Sequence, residues 1–111
     1  MGASKTDQLL GALDLLVLRV LSSGERLHGY AITELIHRTS EDLLRVEEGS
    51  LYPALRRMEQ ASWLKSAWGI SDNNRRARYY TITAAGRKRL NVLERNWAAH
   101  VNAVKRVLKL A

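Results

Sequence analysis

Apolar residues recur at helical spacing in the first part of this chain, fall on alternate positions from Trp63, and return to helical spacing after Thr83. Few folds accommodate that order of periods. It predicts three helices, one two-stranded hairpin and a long closing helix, in that sequence. At 111 residues with 46% hydrophobic content, the chain is the size of one ordinary domain with a real core.

Residues 9, 10, 13, 16, 17, 20 and 21 form one apolar face of a first helix. Asp7 stands ahead of it as an N-cap, and Ser22-Ser23-Gly24 ends it. A second helix spans residues 28–38, with Tyr30, Ala31, Leu35 and Ile36 on its inner side and Ile32 near the edge. Glu34 and Arg38, four apart, can pair outside. Residues 39–48 are polar and acidic, and Leu43, Leu44 and Val46 within them read either as a short strand or as an extended connection. Gly49-Ser50 opens a third helix over residues 51–61. Ser50 is its expected N-cap, and Pro53 falls in a first turn, where a missing N–H removes no bond. Leu51, Leu55 and Met58 share a core-facing stripe. Tyr52, Pro53, Arg56, Arg57 and Gln60 point elsewhere.

From Trp63, the positions of Leu64, Ser66, Trp68 and Ile70 suit a strand with one buried face. Ser71-Asp72-Asn73-Asn74 is a turn cluster, and residues 76–82 are rich in strand formers. The hairpin tip is basic, with Arg75, Arg76 and Arg78 beside Asn74. Thr83 caps a final helix over residues 84–110. The fold class is therefore mainly α with a small β-hairpin (α+β): a winged helix-turn-helix domain over residues 1–82, then a long C-terminal dimerisation helix over 83–111.

The formal charge of +7 is unevenly placed. Residues 1–48 carry eight acids and five bases, whereas residues 49–111 carry three acids and thirteen bases. A lopsided basic half is the electrostatic footprint of a nucleic-acid binder, or else a solvated surface kept for solubility. Two basic elements in series favour the first. The third helix (about 50–61) presents Tyr52, Arg56 and Arg57 near its N-terminal half, where a helix lying in the major groove reaches base edges. The wing (about 72–78) offers arginines to the backbone or the minor groove. Taken alone, the helix arginines read equally as surface charge, and those of the wing as edge protection.

The segments Leu27-His28-Gly29-Tyr30, Val46-Glu47-Glu48-Gly49-Ser50-Leu51-Tyr52-Pro53-Ala54-Leu55, Asn73-Asn74-Arg75-Arg76-Ala77-Arg78-Tyr79-Tyr80 and Thr83-Ala84-Ala85-Gly86 together resemble the signature of PadR-like transcriptional regulators. The resemblance covers roughly residues 8–110. It implies a bacterial winged-helix dimer, usually a repressor, of the short subgroup with one C-terminal helix. It also implies that Ser50, Tyr52 and Pro53 meet DNA, with Arg56 and Arg57 close by and Arg75 and Arg76 on the wing. In His28-Gly29-Tyr30, Gly29 reads as serving backbone geometry. Tyr30 reads as a packed residue whose hydroxyl finds a neighbour or a phosphate.

Leu90, Leu93, Trp97, Val101, Val104 and Leu108 recur at intervals of three and four along the last helix. Such a stripe outruns the core of a small domain and marks an interface, most simply with a second copy. A dimer would read two half-sites of a pseudo-palindromic operator about one DNA turn apart. Trp97, mid-seam, is either an interface anchor or, as some short members of the family imply, a stacking surface for a flat aromatic effector. The basic residues flanking the seam leave a membrane surface as a rival partner, ranked below dimerisation. No apolar run reaches the length of a membrane span, and with no cysteine the chain fits the cytoplasm, associated with the nucleoid.

No nucleophile elbow, phosphate-binding glycine loop or paired-histidine motif is present. His28, His37 and His100 lack metal-ligand spacing. The expectation is no enzyme, no cofactor and no metal. The alternative function is a winged-helix module for protein or RNA contacts without operator specificity.

Overall fold

Helix α1 (Lys5–Leu21) is the common wall of the molecule, in contact with every later helix and with the sheet. The computed structural model describes the backbone of residues 5–110 and the side chains of residues 12–109. The expected burial of Leu9 and Leu10 lies outside the described side chains. Because α1 is flanked on several sides, its buried residues include Leu18 as well as Leu13, Val17 and Leu21. Asp7 is not a cap, since the helix already runs from Lys5.

Helix α2 spans Gly29–Thr39 and is preceded by a two-residue strand, β1 (Leu27–His28). On α2, burial differs from the expectation at two positions. Ile32 is fully buried, whereas Tyr30 is 65% exposed, so the inner stripe is centred on Ile32 and Ile36. Glu34 and Arg38 do pair, at 3.9 Å. The connection to α3 contains no strand. It turns through Glu41 and Asp42, both at positive φ, and Val46 packs on the core while Leu43 is exposed.

Helix α3 spans Glu48–Gln60 and begins earlier than the Ser50 hydroxyl predicted. Glu47 is the N-cap, in extended conformation, and uses no side-chain bond. Its carbonyl accepts both the Ser50 and Leu51 N–H groups, and the Glu48 carboxylate complements the positive end of the helix. Pro53 therefore lies inside the helix rather than in its first turn. Its missing N–H leaves the Gly49 carbonyl without an i→i−4 donor. Leu51, Leu55 and Met58 are fully buried as expected, and Ala54 joins them.

Strands β2 (Leu64–Ile70) and β3 (Arg76–Ile82) form an antiparallel hairpin in the register Leu64↔Ile82 to Ile70↔Arg76. The turn closes with the Ser71 N–H on the Arg75 carbonyl and the Asn74 N–H on the Ser71 carbonyl. Asn74 takes φ 59°, a conformation its short side chain tolerates. β1 pairs with the other edge of β3, giving the order β1-β3-β2. The buried face expected along β2 extends only to its start. Leu64 is 2% exposed, but Trp68 and Ile70 are 54% and 63% exposed. A seven-residue strand is about 23 Å long, so the hairpin projects past the core as a wing.

His28 joins sheet and helix. It pairs with Tyr79 in the sheet, and its Nδ1 accepts the Ala31 N–H at 3.1 Å, capping α2. His28→Ala is expected to lower stability by about 1 kcal/mol, with His28→Asn restoring most of it. Urea denaturation of the three proteins checks this.

Helix α4 (Ala84–Leu110) starts as predicted. The Thr83 Oγ1 accepts the Gly86 N–H at 3.0 Å and donates to the Ser62 carbonyl at 2.6 Å. Arg87 donates to the Ser22 carbonyl at the end of α1 at 2.9 Å. Leu90, expected on an intermolecular seam, is 4% exposed and belongs to the core of its own chain. Leu93 also packs against that core. At 1.5 Å per residue α4 is about 40 Å long, so its far half overhangs. Trp97, Val104 and Leu108 are 49%, 45% and 67% exposed, and Val101 is partly buried.

Candidate nucleic-acid interface

The α3 side chains expected at DNA divide into two groups. Pro53 and Arg56 are exposed, Ser50 is half-buried, and Arg56 makes no ion pair among the described residues. Arg57 turns to α1 instead. Its two terminal nitrogens donate to the two carboxylate oxygens of Asp14, each at 2.8 Å. The Asp14 side chain is 9% exposed and that of Arg57 46%. Bidentate hydrogen bonding to Asp14 raises the Arg57 pKa above its ordinary value. Arg57 thus pins α3 to α1.

Tyr52 leans the other way, over the start of α2. A Cβ on Gly29 would lie 2.7 Å from the Tyr52 hydroxyl oxygen and 2.9 Å from its ring. Gly29 serves close approach of an aromatic ring, and its φ is not in the left-handed region. Tyr52 also forms one wall of a groove of about 940 Å³ between α2, α3 and the wing. Arg75, Arg76 and Arg78 stand on the opposite wall, with Trp68 among them. Of the residues singled out in the sequence, the groove brings together Tyr52, Arg75, Arg76 and Arg78. Ser50, Pro53, Arg56, Arg57 and Asn74 do not line it.

Tyr30, expected to be packed, lines the groove with its ring open to solvent. Glu34 raises its hydroxyl pKa, first by hydrogen bonding and then by charge. Tyr80, at the groove floor, is 6% exposed, and its pKa is raised mainly by burial and then by Glu59. Trp68 is the groove residue that alternation along β2 assigned to the core. The signal that exposes it is length, because the hairpin is longer than the layer of helices that covers it.

Among the described residues there is no cluster of His, Asp or Glu able to hold a metal ion. No described helix is long and apolar enough to cross a membrane.

Residues 17–92 match the Transcriptional regulator PadR-like family. This chain is a member of that family. The PadR-like match runs from mid-α1 through the wing into the first turns of α4, and stops short of Trp97. A solved transcriptional regulator from Clostridium thermocellum superposes with a TM-score of 0.81 at 28% identity, covering 90% of this chain and 96% of that one. A PadR family regulator from Eggerthella lenta gives 0.78 at 28% identity, covering 95% and 88%. A PadR-like regulator from Bacillus cereus gives 0.75 at 26% identity, covering 92% and 96%. An uncharacterised protein from Lysinibacillus sphaericus is 30% identical over 95 residues, 85% of either chain. The winged helix with a long C-terminal helix is thus the architecture of PadR-like regulators, and family membership makes this protein a DNA-binding regulator of transcription.

Proposed function

We propose that this PadR-like protein represses transcription as a homodimer on a pseudo-palindromic operator. The observation that carries the reading is the groove that sets Tyr52 of α3 against Arg75, Arg76 and Arg78 of the wing. A duplex backbone running along it places the exposed side of α3, with Ser50, Pro53 and Arg56, toward the major groove. The wing tip, with Asn74 and Arg75, then meets the backbone or the minor groove. Arg57 contributes by fixing the helix against α1. Residues 1–82 supply the DNA-binding unit and residues 83–111 the dimerising helix, whose first turns complete the core.

The exposed half of α4 supports dimerisation through Trp97, Val101, Val104 and Leu108, since an apolar stripe of this length needs a partner. Leu93 lies at the inner end of that seam, while Leu90 serves its own chain. Trp97 stacks on His100 with ring centroids 5.7 Å apart and still offers a face to a flat aromatic effector in the seam. The cytoplasm, with its nucleoid, is the site of action.

Binding to the DNA upstream of its own gene and to a scrambled duplex, titrated with salt, tests the reading. Specific binding with a steep salt slope is expected. Equal weak binding to both would favour an interaction module for protein or RNA. Arg56→Ala should cost about 1–3 kcal/mol on the operator and little on scrambled DNA. Arg75→Ala should weaken both alike and lower the salt slope by about one. Identical behaviour of the two variants would sink the division between reading helix and wing.

A further inference from the structure

Beyond the core, the inner face of the wing carries an arrangement that basic charge alone does not explain. Trp68 stands directly opposite Arg78 in the ladder and diagonally from Arg76. Both guanidinium groups lie over its ring. The Arg76 Cζ is 4.4 Å from the ring centroid and the Arg78 Cζ is 5.2 Å away. Arg78 is held a second time, because its Nε donates to the Ser66 Oγ at 2.8 Å. The Ser66 hydroxyl in turn donates to the Glu59 Oε2 on α3 at 2.7 Å. A hydroxyl has one proton to give and lone pairs to receive, so Ser66 links the wing arginine to the helix carboxylate in one direction only.

A free arginine side chain loses rotamer entropy when it is fixed on a phosphate. Laid flat against an indole, the strongest cation–π platform among the side chains, it has already lost much of that freedom. The half-exposed ring leaves the outer edges of both guanidinium groups open to the groove.

We propose that Trp68 is a positioning residue for DNA binding, holding Arg76 and Arg78 in the geometry in which the wing meets phosphates, while Ser66 and Glu59 lock that geometry to α3. This rests on the groove being the path of the duplex.

The test is a set of affinities for one scrambled duplex at fixed salt, since backbone contacts need no particular sequence. Trp68→Ala should weaken binding about tenfold, and Trp68→Phe should recover roughly half of that loss on a logarithmic scale. In an Arg76→Ala/Arg78→Ala background, Trp68→Ala should add less than about a twofold change. A full loss in both backgrounds would mean that Trp68 touches DNA itself and would overturn the proposal, as would no loss in either. In the free protein, NMR order parameters of the Arg76 and Arg78 Nε–H groups should be high and should drop in Trp68→Ala. Order parameters unchanged by the substitution remove the role of Trp68 alone. Failure of the unsubstituted protein to bind any duplex would instead remove the reading of the groove.

Discussion

Gly86→Ala is expected to destabilise this protein by about 3 kcal/mol, a fall in Tm of roughly 10 °C. The first turn of α4 lies directly on the strand entry. A Cβ at residue 86 would overlap the Trp63 carbonyl oxygen and approach the Ile82 Cγ1 to 2.8 Å. The obstacle is backbone, and that backbone is not free to shift. The same Trp63 carbonyl accepts the Thr83 N–H at 3.0 Å, while Thr83 caps the helix and bonds to Ser62. Retreat of the helix would break the cap and draw Leu90 from the core. Thermal denaturation at one fixed protein concentration checks this. A Tm within about 2 °C of the parent, well under the shift that 1 kcal/mol gives a domain of this size, would show that the junction yields.

Arg57→Ala is the second large effect, about 3 kcal/mol of destabilisation, even though the residue lies on the face expected to read DNA. Removing the guanidinium leaves the buried Asp14 carboxylate without its bidentate partner. Breaking a buried pair from one side costs about 3–5 kcal/mol. The lower end applies because nearly half of the Arg57 side chain faces solvent. The double change Asp14→Leu/Arg57→Met should restore most of the loss, since an apolar pair of similar volume replaces the ionic one at little cost. Urea denaturation of the single and double variants decides it. A double variant as unstable as Arg57→Ala would mean that the damage is not the stranded carboxylate. Arg56→Ala, one position away, should leave stability within about 0.5 kcal/mol, as exposed substitutions do.

These two residues mark where the sequence is legible and where it is not. Helical and alternating periods are local, so the order of helices, the hairpin and the Thr83 cap could be read directly. The Asp14–Arg57 pair joins residues 43 apart, and no period records it. Arg57 consequently looked like a twin of Arg56. β1 has two residues, too few to show a period, so the third strand of the sheet was invisible. The spacing on α2 puts Tyr30 inside and Ile32 only near the edge because either can border an apolar stripe, and only the packing of α1 and α3 decides between them.

A period also does not record how far a layer reaches. Alternation shows that Leu64, Ser66, Trp68 and Ile70 share a face. It does not show that α3 covers the first two, leaving Trp68 to the groove and Ile70 to solvent. At the start of α3, Ser50 has the better capping hydroxyl, yet the helix begins where the Glu47 carbonyl can receive two amides. In the candidate site, the basic wing and Tyr52 were legible as chemistry. Their meeting across one groove depends on Gly29, whose missing side chain makes room for the Tyr52 ring.

The division of α4 between a buried and an overhanging half bears on how such a chain diversifies. At Gly86, Leu90 and Leu93 a substitution is judged by the chain's own folding, and few alternatives survive. From Trp97 onward, it is judged only by what the overhang meets. With the overhang pairing as proposed, its outer half can drift in shape and charge without loss of the parent fold, and the products of duplicated genes would separate into sets that no longer pair while keeping the same α3 and wing.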